Sequence, residues 1–160
     1  MKEGEKNKLK ANSRMLINNS LLGVCFALFT FIIAINPDLL KSNIFLASQL
    51  TLAIPFFLTS SFARSKLAYT KKPVKWDRYG FICFILAYTF LINVVGILLS
   101  TLVSLGIGLT FFGVCILSDL VYSYMDLSEK KDRIKSQIYK DIMFILIILV
   151  GGILPSLGVF

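Results

Sequence analysis

Residues 79–118, YGFICFILAYTFLINVVGILLSTLVSLGIGLTFFGVCILS, form a run of 40 consecutive uncharged positions. A helix needs about 20 apolar residues to cross a hydrocarbon core about 30 Å thick. The run is therefore long enough for two crossings, joined by a short turn around Ser100 and Thr101. A buried helix of a soluble domain is shorter and carries a polar face. We therefore predict two membrane-spanning helices here.

Three further uncharged stretches flank this run. Residues 15–37, 42–63 and 142–160 contain 23, 22 and 19 positions without a charge. Hydrophobic residues make up 56% of the chain and charged residues 16%, against about 45–50% and about 25% in soluble domains. We predict an all-α, polytopic membrane protein, in which segment 1–14 precedes a five-helix domain at 15–160. The predicted spans are 15–36, 43–62, 79–99, 102–124 and 142–158.

The basic residues predict the orientation of the chain. Five Lys and Arg residues lie in segment 1–14, six in loop 63–78 and five in loop 125–141. Only Lys41 lies in any other loop. Because cytoplasmic loops carry the basic excess, we expect the N-terminus inside and the C-terminus outside, in the plasma membrane. A single crossing by residues 79–118 would place loop 125–141 outside, so the alternation favours two helices there.

The net charge of +8 raises nucleic-acid binding as a possibility. The positions of the basic residues beside predicted spans favour a different explanation. Each Lys or Arg near a bilayer surface attracts anionic lipid by about 1 kcal/mol. We expect the lipid bilayer as partner, with anionic lipids at the basic loops, and no nucleic acid. The alternative is that these residues only set the topology.

Asp119 is the only charge inside a predicted span. A carboxylate at that depth is expected to be protonated, paired or facing a wet cavity. One hypothesis is an ion or proton site, where Asn18, Asn19 and Ser60, at similar predicted depth, line a polar pocket open to the cytoplasm. The alternative is a structural ion pair between Asp119 and a lysine of a cytoplasmic loop.

Small residues in the fourth span predict close helix packing. Ser104 with Gly108, and Gly106 with Thr110, are small-xxx-small pairs, which let helices approach closely within one chain or between chains. Pro55 is expected to kink the second span, because proline lacks the N–H that bonds to the preceding turn.

Two amide side chains fall in the outer halves of predicted spans, Gln49 in the second and Asn93 in the third. Buried amides need partners, and an interhelical hydrogen bond contributes about 0.6–2 kcal/mol. We expect these side chains to join helices, with a substrate contact as the alternative.

Two local patterns concern the last predicted span. Asp126 and Glu129 resemble the start of a capping box, which predicts a cytoplasmic helix beginning there and running into the span. Near its end, Gly151, Gly152 and Pro155 predict a loosened or re-entrant segment.

The sequence also contains a faint internal repeat. A shift of 59 residues aligns 30–33 with 89–92 and 71–72 with 130–131. Chance matches are common among Leu- and Phe-rich helices. A true duplication would make the first two spans and the next two parallel repeats, an arrangement known in transporters.

No catalytic set is present. The chain has no histidine, and its three cysteines form no Cys-x-x-Cys pair, so we expect neither a metal site nor a cofactor. The first hypothesis is a small transporter or channel-like protein, working as a homo-oligomer. The alternative is a non-catalytic accessory or scaffold subunit among other membrane subunits of a larger complex. An enzyme acting on lipids is the least supported class.

Overall fold

A computed structural model of the chain describes residues 3–67, 69–70, 73–129 and 134–159. These residues are helical apart from short connections, and they contain no strand, which confirms the predicted all-α class. The helices are α1 (Glu3–Ile35), α2 (Asp38–Ser42), α3 (Ile44–Leu67), α4 (Pro73–Leu102), α5 (Leu105–Glu129), α6 (Ile134–Ile148), a π-helical turn (Leu149–Ile153) and α7 (Leu154–Ser156).

Five helical segments are long and apolar enough to cross a membrane, as predicted for a multi-pass membrane protein. They are Ala11–Ile35, Ile44–Leu67, Val74–Leu102, Leu105–Ser128 and Gln137–Ser156. Each of them begins or ends several residues beyond a predicted boundary. The cytoplasmic position of the N-terminus stays a prediction.

The two basic loops are shorter than predicted, whereas the turn between α4 and α5 keeps its predicted length. Much of loop 63–78 is helical, because α3 ends at Leu67 and α4 begins at Pro73. The turn between α4 and α5 lies at Val103 and Ser104, a few residues later than expected. The Ser104 hydroxyl accepts a hydrogen bond from the backbone N–H of Ile107 at 3.3 Å, which caps the start of α5.

The capping-box prediction at Asp126 is wrong. Helix α5 continues through Asp126 to Glu129, so the backbone there is already helical. The capping pattern was misleading because the same residues also continue an existing helix. The second half of the expectation is correct, since α6 begins at Ile134 and the helical path continues to Ser156. Residues 130–133 lie outside the described residues.

Two asparagine side chains stabilise the first connection. The side-chain oxygen of Asn36 accepts a hydrogen bond from the backbone N–H of Asp38 at 3.2 Å. The side-chain oxygen of Asn43 accepts one from the N–H of Leu46 at 3.0 Å, which caps α3. Pro55 lies within α3, which nevertheless remains one continuous helix.

The chain forms two compact units, Met1–Tyr88 (the first unit) and Thr89–Phe160 (the second unit), and α4 contributes to both. In the first unit α1 packs along α3, and the ring of Phe57 meets that of Phe84 edge-on at 6.2 Å. The second unit has a buried core of Ile92, Phe112, Phe144 and Ile148.

The predicted loosening of the last span takes the form of a π-turn. The backbone N–H of Leu154 donates to the carbonyl of Leu149, which is the five-residue spacing of a π-helix. Next to this turn, the buried Asn93 amide donates to the carbonyl of Ile147 at 3.1 Å. Gly152 is buried here, and a Cβ at its position would lie 2.6 Å from the side-chain oxygen of Asn93.

Candidate functional site

Among the described residues, each unit contains a cluster of paired charges that includes a buried basic side chain. The arginine cluster of the first unit consists of Arg14, Arg64 and Asp77. The lysine cluster of the second unit consists of Asp119, Ser123, Gln137, Lys140 and Asp141.

The centre of the lysine cluster is the ammonium group of Lys140. It lies 3.0 Å from Oδ1 of Asp119 and 3.1 Å from Oδ1 of Asp141. The side chain of Lys140 is 10% exposed and that of Asp119 is 18% exposed. The ammonium also lies 5.4 Å from the centre of the Tyr122 ring, within the range of a cation–π contact.

The Ser123 hydroxyl connects the members of this cluster. It donates to Oδ1 of Asp141 at 2.7 Å. It accepts from the Gln137 amide at 2.8 Å and from Lys140 at 3.1 Å. Because Ser123 is buried and has three partners, it fixes α5 against α6 at this level.

Helical spacing accounts for the convergence of these side chains. Asp119 and Ser123 are four residues apart on α5, and Gln137, Lys140 and Asp141 are spaced by three and four residues on α6. Residues at these spacings share one face of a helix. The sequence analysis missed the α6 residues because their charges were taken as the end of a loop. The spacing itself was the signal available.

The lysine cluster carries an excess of negative charge. Its two carboxylates face one ammonium, which gives a formal charge of −1. Oδ2 of Asp119 is buried and has no hydrogen-bond partner among the described residues. An unsatisfied buried oxygen costs about 1–3 kcal/mol, and more if it is charged. A proton or a cation at this oxygen would remove that cost.

The arginine cluster has the opposite composition. The guanidinium of Arg14 lies 2.6 Å from Oδ1 of Asp77, and that of Arg64 contacts the same oxygen. Arg64 also donates to the Asp77 carbonyl at 3.2 Å. Its side chain is only 3% exposed, whereas those of Arg14 and Asp77 are 34% and 37% exposed. One carboxylate therefore holds two cations, for a formal charge of +1.

A chain of hydrogen bonds links three helices of the first unit. The Asn18 amide donates to the Ser60 hydroxyl at 2.8 Å, and Ser60 donates to the Gly80 carbonyl at 2.7 Å. Asn18 and Ser60 are both buried. A Cβ at Gly80 would lie 3.0 Å from that of Ala63, so the glycine allows α4 to approach α3 this closely.

The four residues predicted to share a polar pocket are distributed over three separate sets of hydrogen bonds. Asn18 and Ser60 bind each other, while the exposed Asn19 accepts from Ser61 at 3.2 Å. Asp119 lies in the second unit and pairs with Lys140, as the structural alternative anticipated. Asp119 is not the only charge in a span, because the last candidate span begins at Gln137 and includes Lys140 and Asp141.

The predicted packing residues lie in different environments. A Cβ at Gly108 would overlap the side chain of Ser100, so Gly108 permits the contact between α5 and α4. Ser104 caps α5, as described above. At Gly106 a Cβ would meet nothing within 4 Å, and the exposed Thr110 hydroxyl donates back to the Gly106 carbonyl at 2.8 Å.

Among the described residues, no group of three or more His, Cys, Asp or Glu residues is arranged to hold a metal ion. No family model, no curated protein and no solved structure matches this chain.

Proposed function

We propose that this protein is a small transporter or channel-like protein, and that the lysine cluster is a cation or proton site on its transport path. The observation that carries the proposal is the buried oxygen Oδ2 of Asp119 within a cluster of net negative charge.

The cost of burying charges supports this proposal. A well-packed apolar set often replaces a buried ion pair without loss of stability, so such a pair is weak evidence for a purely structural role. Ionisable residues within membrane spans are rare, and they commonly mark ion pathways and proton relays. The lysine cluster places three of them together in candidate spans.

The chemistry of the site follows from its hydrogen bonds. A proton arriving from water would bind Oδ2 of Asp119, which neutralises that carboxylate and weakens its attraction for Lys140. Lys140 would retain Asp141 and Ser123 as partners, so the helix contact survives the change. Release of the proton restores the ion pair. Five helices barely enclose a path, so a homo-oligomer is part of the proposal.

Asp119→Asn tests the role of the carboxylate. The purified protein is reconstituted into vesicles containing a pH-sensitive dye, and proton, Na⁺ and K⁺ gradients are applied in turn. We expect the variant to fold normally and to lose the flux of the wild type. Asp38→Asn is the matched control, because Asp38 also pairs with a lysine but is exposed. Wild-type flux in Asp119→Asn would contradict the proposal.

The orientation and the membrane belong to the same proposal. The basic segments support a cytoplasmic N-terminus in the plasma membrane. Labelling of a cysteine introduced at exposed Tyr69, in intact cells and in opened cells, tests the orientation. Labelling only after the cells are opened agrees with the proposal, since Tyr69 lies in the basic loop 63–78, which is predicted to be cytoplasmic.

An exposed face of α5 supports a second candidate, an accessory or scaffold subunit. Gly106, Thr110 and Gly113 are spaced by four and three residues, and a Cβ at either glycine would meet no atom of the described residues within 4 Å. Such small residues suit close contact with another membrane helix. The composition of the complex extracted in mild detergent discriminates the two candidates. A pure homo-oligomer favours transport, and a stable complex with other proteins favours the accessory role.

A further inference from the structure

The arginine cluster lies near one end of three candidate membrane spans. Arg14 follows the start of the first candidate span by three residues, Arg64 precedes the end of the second by three, and Asp77 follows the start of the third by three. At 1.5 Å per residue, each lies about 4.5 Å inside the end of its candidate span. Their mutual contacts show that the three spans meet at this level.

The positive charge of the cluster is not balanced by the described side chains. Two guanidinium groups share one carboxylate. The other carboxylate described in the first unit, Asp38, pairs with Lys41 and lies beyond the opposite end of α1, about 30 Å away along the helix. At the end occupied by the cluster, the nearby basic side chains of Lys66, Lys75 and Arg78 are exposed. The described side chains at this end therefore carry an excess of positive charge, which would attract an anion.

The geometry of the guanidinium groups suits a phosphate. Each guanidinium has five N–H donors, and the described hydrogen bonds of Arg14 and Arg64 come from Nη1 alone. Arginine binds phosphate through two parallel hydrogen bonds. Because Arg14 is one-third exposed and Arg64 is buried, the anion would approach from the side of Arg14.

Aromatic side chains beside the cluster point to a lipid rather than a dissolved ion. Trp76 and Tyr79 are partly exposed on α4, adjacent to Asp77, and their rings meet edge-on at 6.4 Å. Trp and Tyr are enriched at the membrane interface, where one side of the ring meets acyl chains and the other meets water.

We propose that the arginine cluster is a binding site for the phosphate of an anionic phospholipid. Arg14 is the main contact with the phosphate. The buried Arg64 holds Asp77 in place, and Trp76 packs beside the acyl chain. This site is independent of the proposed transport function. It names one defined position within the broad basic surface that the sequence predicts to attract lipid.

Trp76 is the single tryptophan of the chain and provides the measurement. The protein is placed in bilayer discs of phosphatidylcholine that contain a small fraction of brominated lipid, either phosphatidylglycerol or phosphatidylcholine. Bromine quenches tryptophan fluorescence on contact. We expect brominated phosphatidylglycerol to quench Trp76 at lower fractions than brominated phosphatidylcholine does. Equal quenching by both lipids would overturn the proposal.

Variants assign the preference to the cluster. Near a surface, one basic residue contributes about fivefold in affinity for anionic lipid. We expect Arg14→Gln to lose that fivefold, and Arg14→Lys to retain part of it, because lysine keeps the charge without the fork of donors. Lys41→Gln is the matched control at the opposite end. An equal loss in Lys41→Gln, or no loss in Arg14→Gln, would overturn the proposal.

Inorganic phosphate separates the two sources of the ligand. If dissolved phosphate at millimolar concentration relieves the quenching by brominated phosphatidylglycerol, a free anion competes for the same donors and the assignment of the site to a lipid in particular is overturned. Unchanged quenching supports the lipid. The fold of each variant is checked by its circular dichroism and by its melting temperature in the same discs.

Discussion

The two charged clusters are opposites in composition. In the arginine cluster one carboxylate lies between two guanidinium groups, whereas in the lysine cluster one ammonium lies between two carboxylates. The first has an excess positive charge and opens towards the surface through Arg14. The second has an excess negative charge and is more enclosed. The difference teaches that one chain can hold two charged clusters of opposite net charge.

Residues of α3 and α5 that belong to these clusters or lie next to them are separated by a constant distance in the sequence. Ser60 and Asp119 are 59 residues apart, and so are Arg64 and Ser123. This is the same offset as that of the faint sequence repeat. A duplication would therefore have placed different chemistry at corresponding positions of α3 and α5. The duplication itself stays a prediction.

The largest expected effect comes from Lys140→Met. This change leaves two buried carboxylates without their shared cation. Breaking a buried pair by removing one partner costs about 3–5 kcal/mol. We expect a large fall in the midpoint of thermal unfolding in detergent. The control Lys41→Met removes an exposed pair and is expected to cost less than about 1 kcal/mol. Equal shifts in the two variants would mean that the lysine cluster is more hydrated than its burial indicates.

Asp77→Asn tests the arginine cluster in the same assay. It leaves the buried Arg64 beside Arg14 with no carboxylate between them. Because Asp77 is about one-third exposed, solvent screens part of the effect, and we expect a loss of about 2–3 kcal/mol. Adding anionic lipid should recover part of this loss, while the same lipid should not rescue Lys140→Met. Rescue of both variants would remove the contrast in ligand preference.

Gly152, which lies outside both charged clusters, tests how much tight packing contributes to the free energy of unfolding. Gly152→Ala would place a methyl group 2.6 Å from atoms of Asn93 and Phe112. Overpacking of this kind costs about 1–3 kcal/mol, which should lower the unfolding midpoint. Gly113→Ala is the matched control, since nothing lies within 4 Å of a Cβ there. A loss in the control equal to that in Gly152→Ala would show that the effect comes from the helix backbone instead.

The smallest expected effect is the difference in stability loss between alanine variants of the two buried serines, Ser60 and Ser123. Ser60→Ala removes the hydrogen bonds to Asn18 and Gly80, for about 0.6–2 kcal/mol. Ser123→Ala should cost more, because its hydroxyl bonds to charged partners, which are worth about 1.5–3 kcal/mol. Urea or thermal unfolding of the two variants side by side checks the order. The reverse order would mean that the ion pairs of Lys140 hold without Ser123.

Hydropathy was enough to predict the five apolar helices, because a span of about 20 apolar residues is a strong constraint. The ends of these helices were predicted wrongly, because each charged residue was taken to lie outside a span. Lys140 and Asp141 were assigned to a loop, yet they lie within a helix because each is neutralised by a partner. Arg64 was likewise counted among loop residues, although it is buried against Asp77. Pairing makes such burial affordable, and pairing depends on contacts between helices.

The candidate site was predicted only in part, for a related reason. Depth along the spans correctly placed Asn18 near Ser60, since their levels follow from residue counts. The direction of a side chain around its helix depends on which helices become neighbours, and residue counts carry no such information. The side chain of Asn19 therefore has a different hydrogen-bond partner from that of Asn18, and Asp119 pairs with Lys140.

The π-turn at Leu149–Ile153 also determines how the end of the chain is oriented. A π-turn is an α-helix that carries one residue too many, and one residue corresponds to a rotation of about 100°. Every side chain after the turn is rotated by that angle relative to an uninterrupted helix. Asn93 lies where it can hold the widened turn, through its bond to Ile147. One inserted residue has thus given the last few positions of the chain a different face.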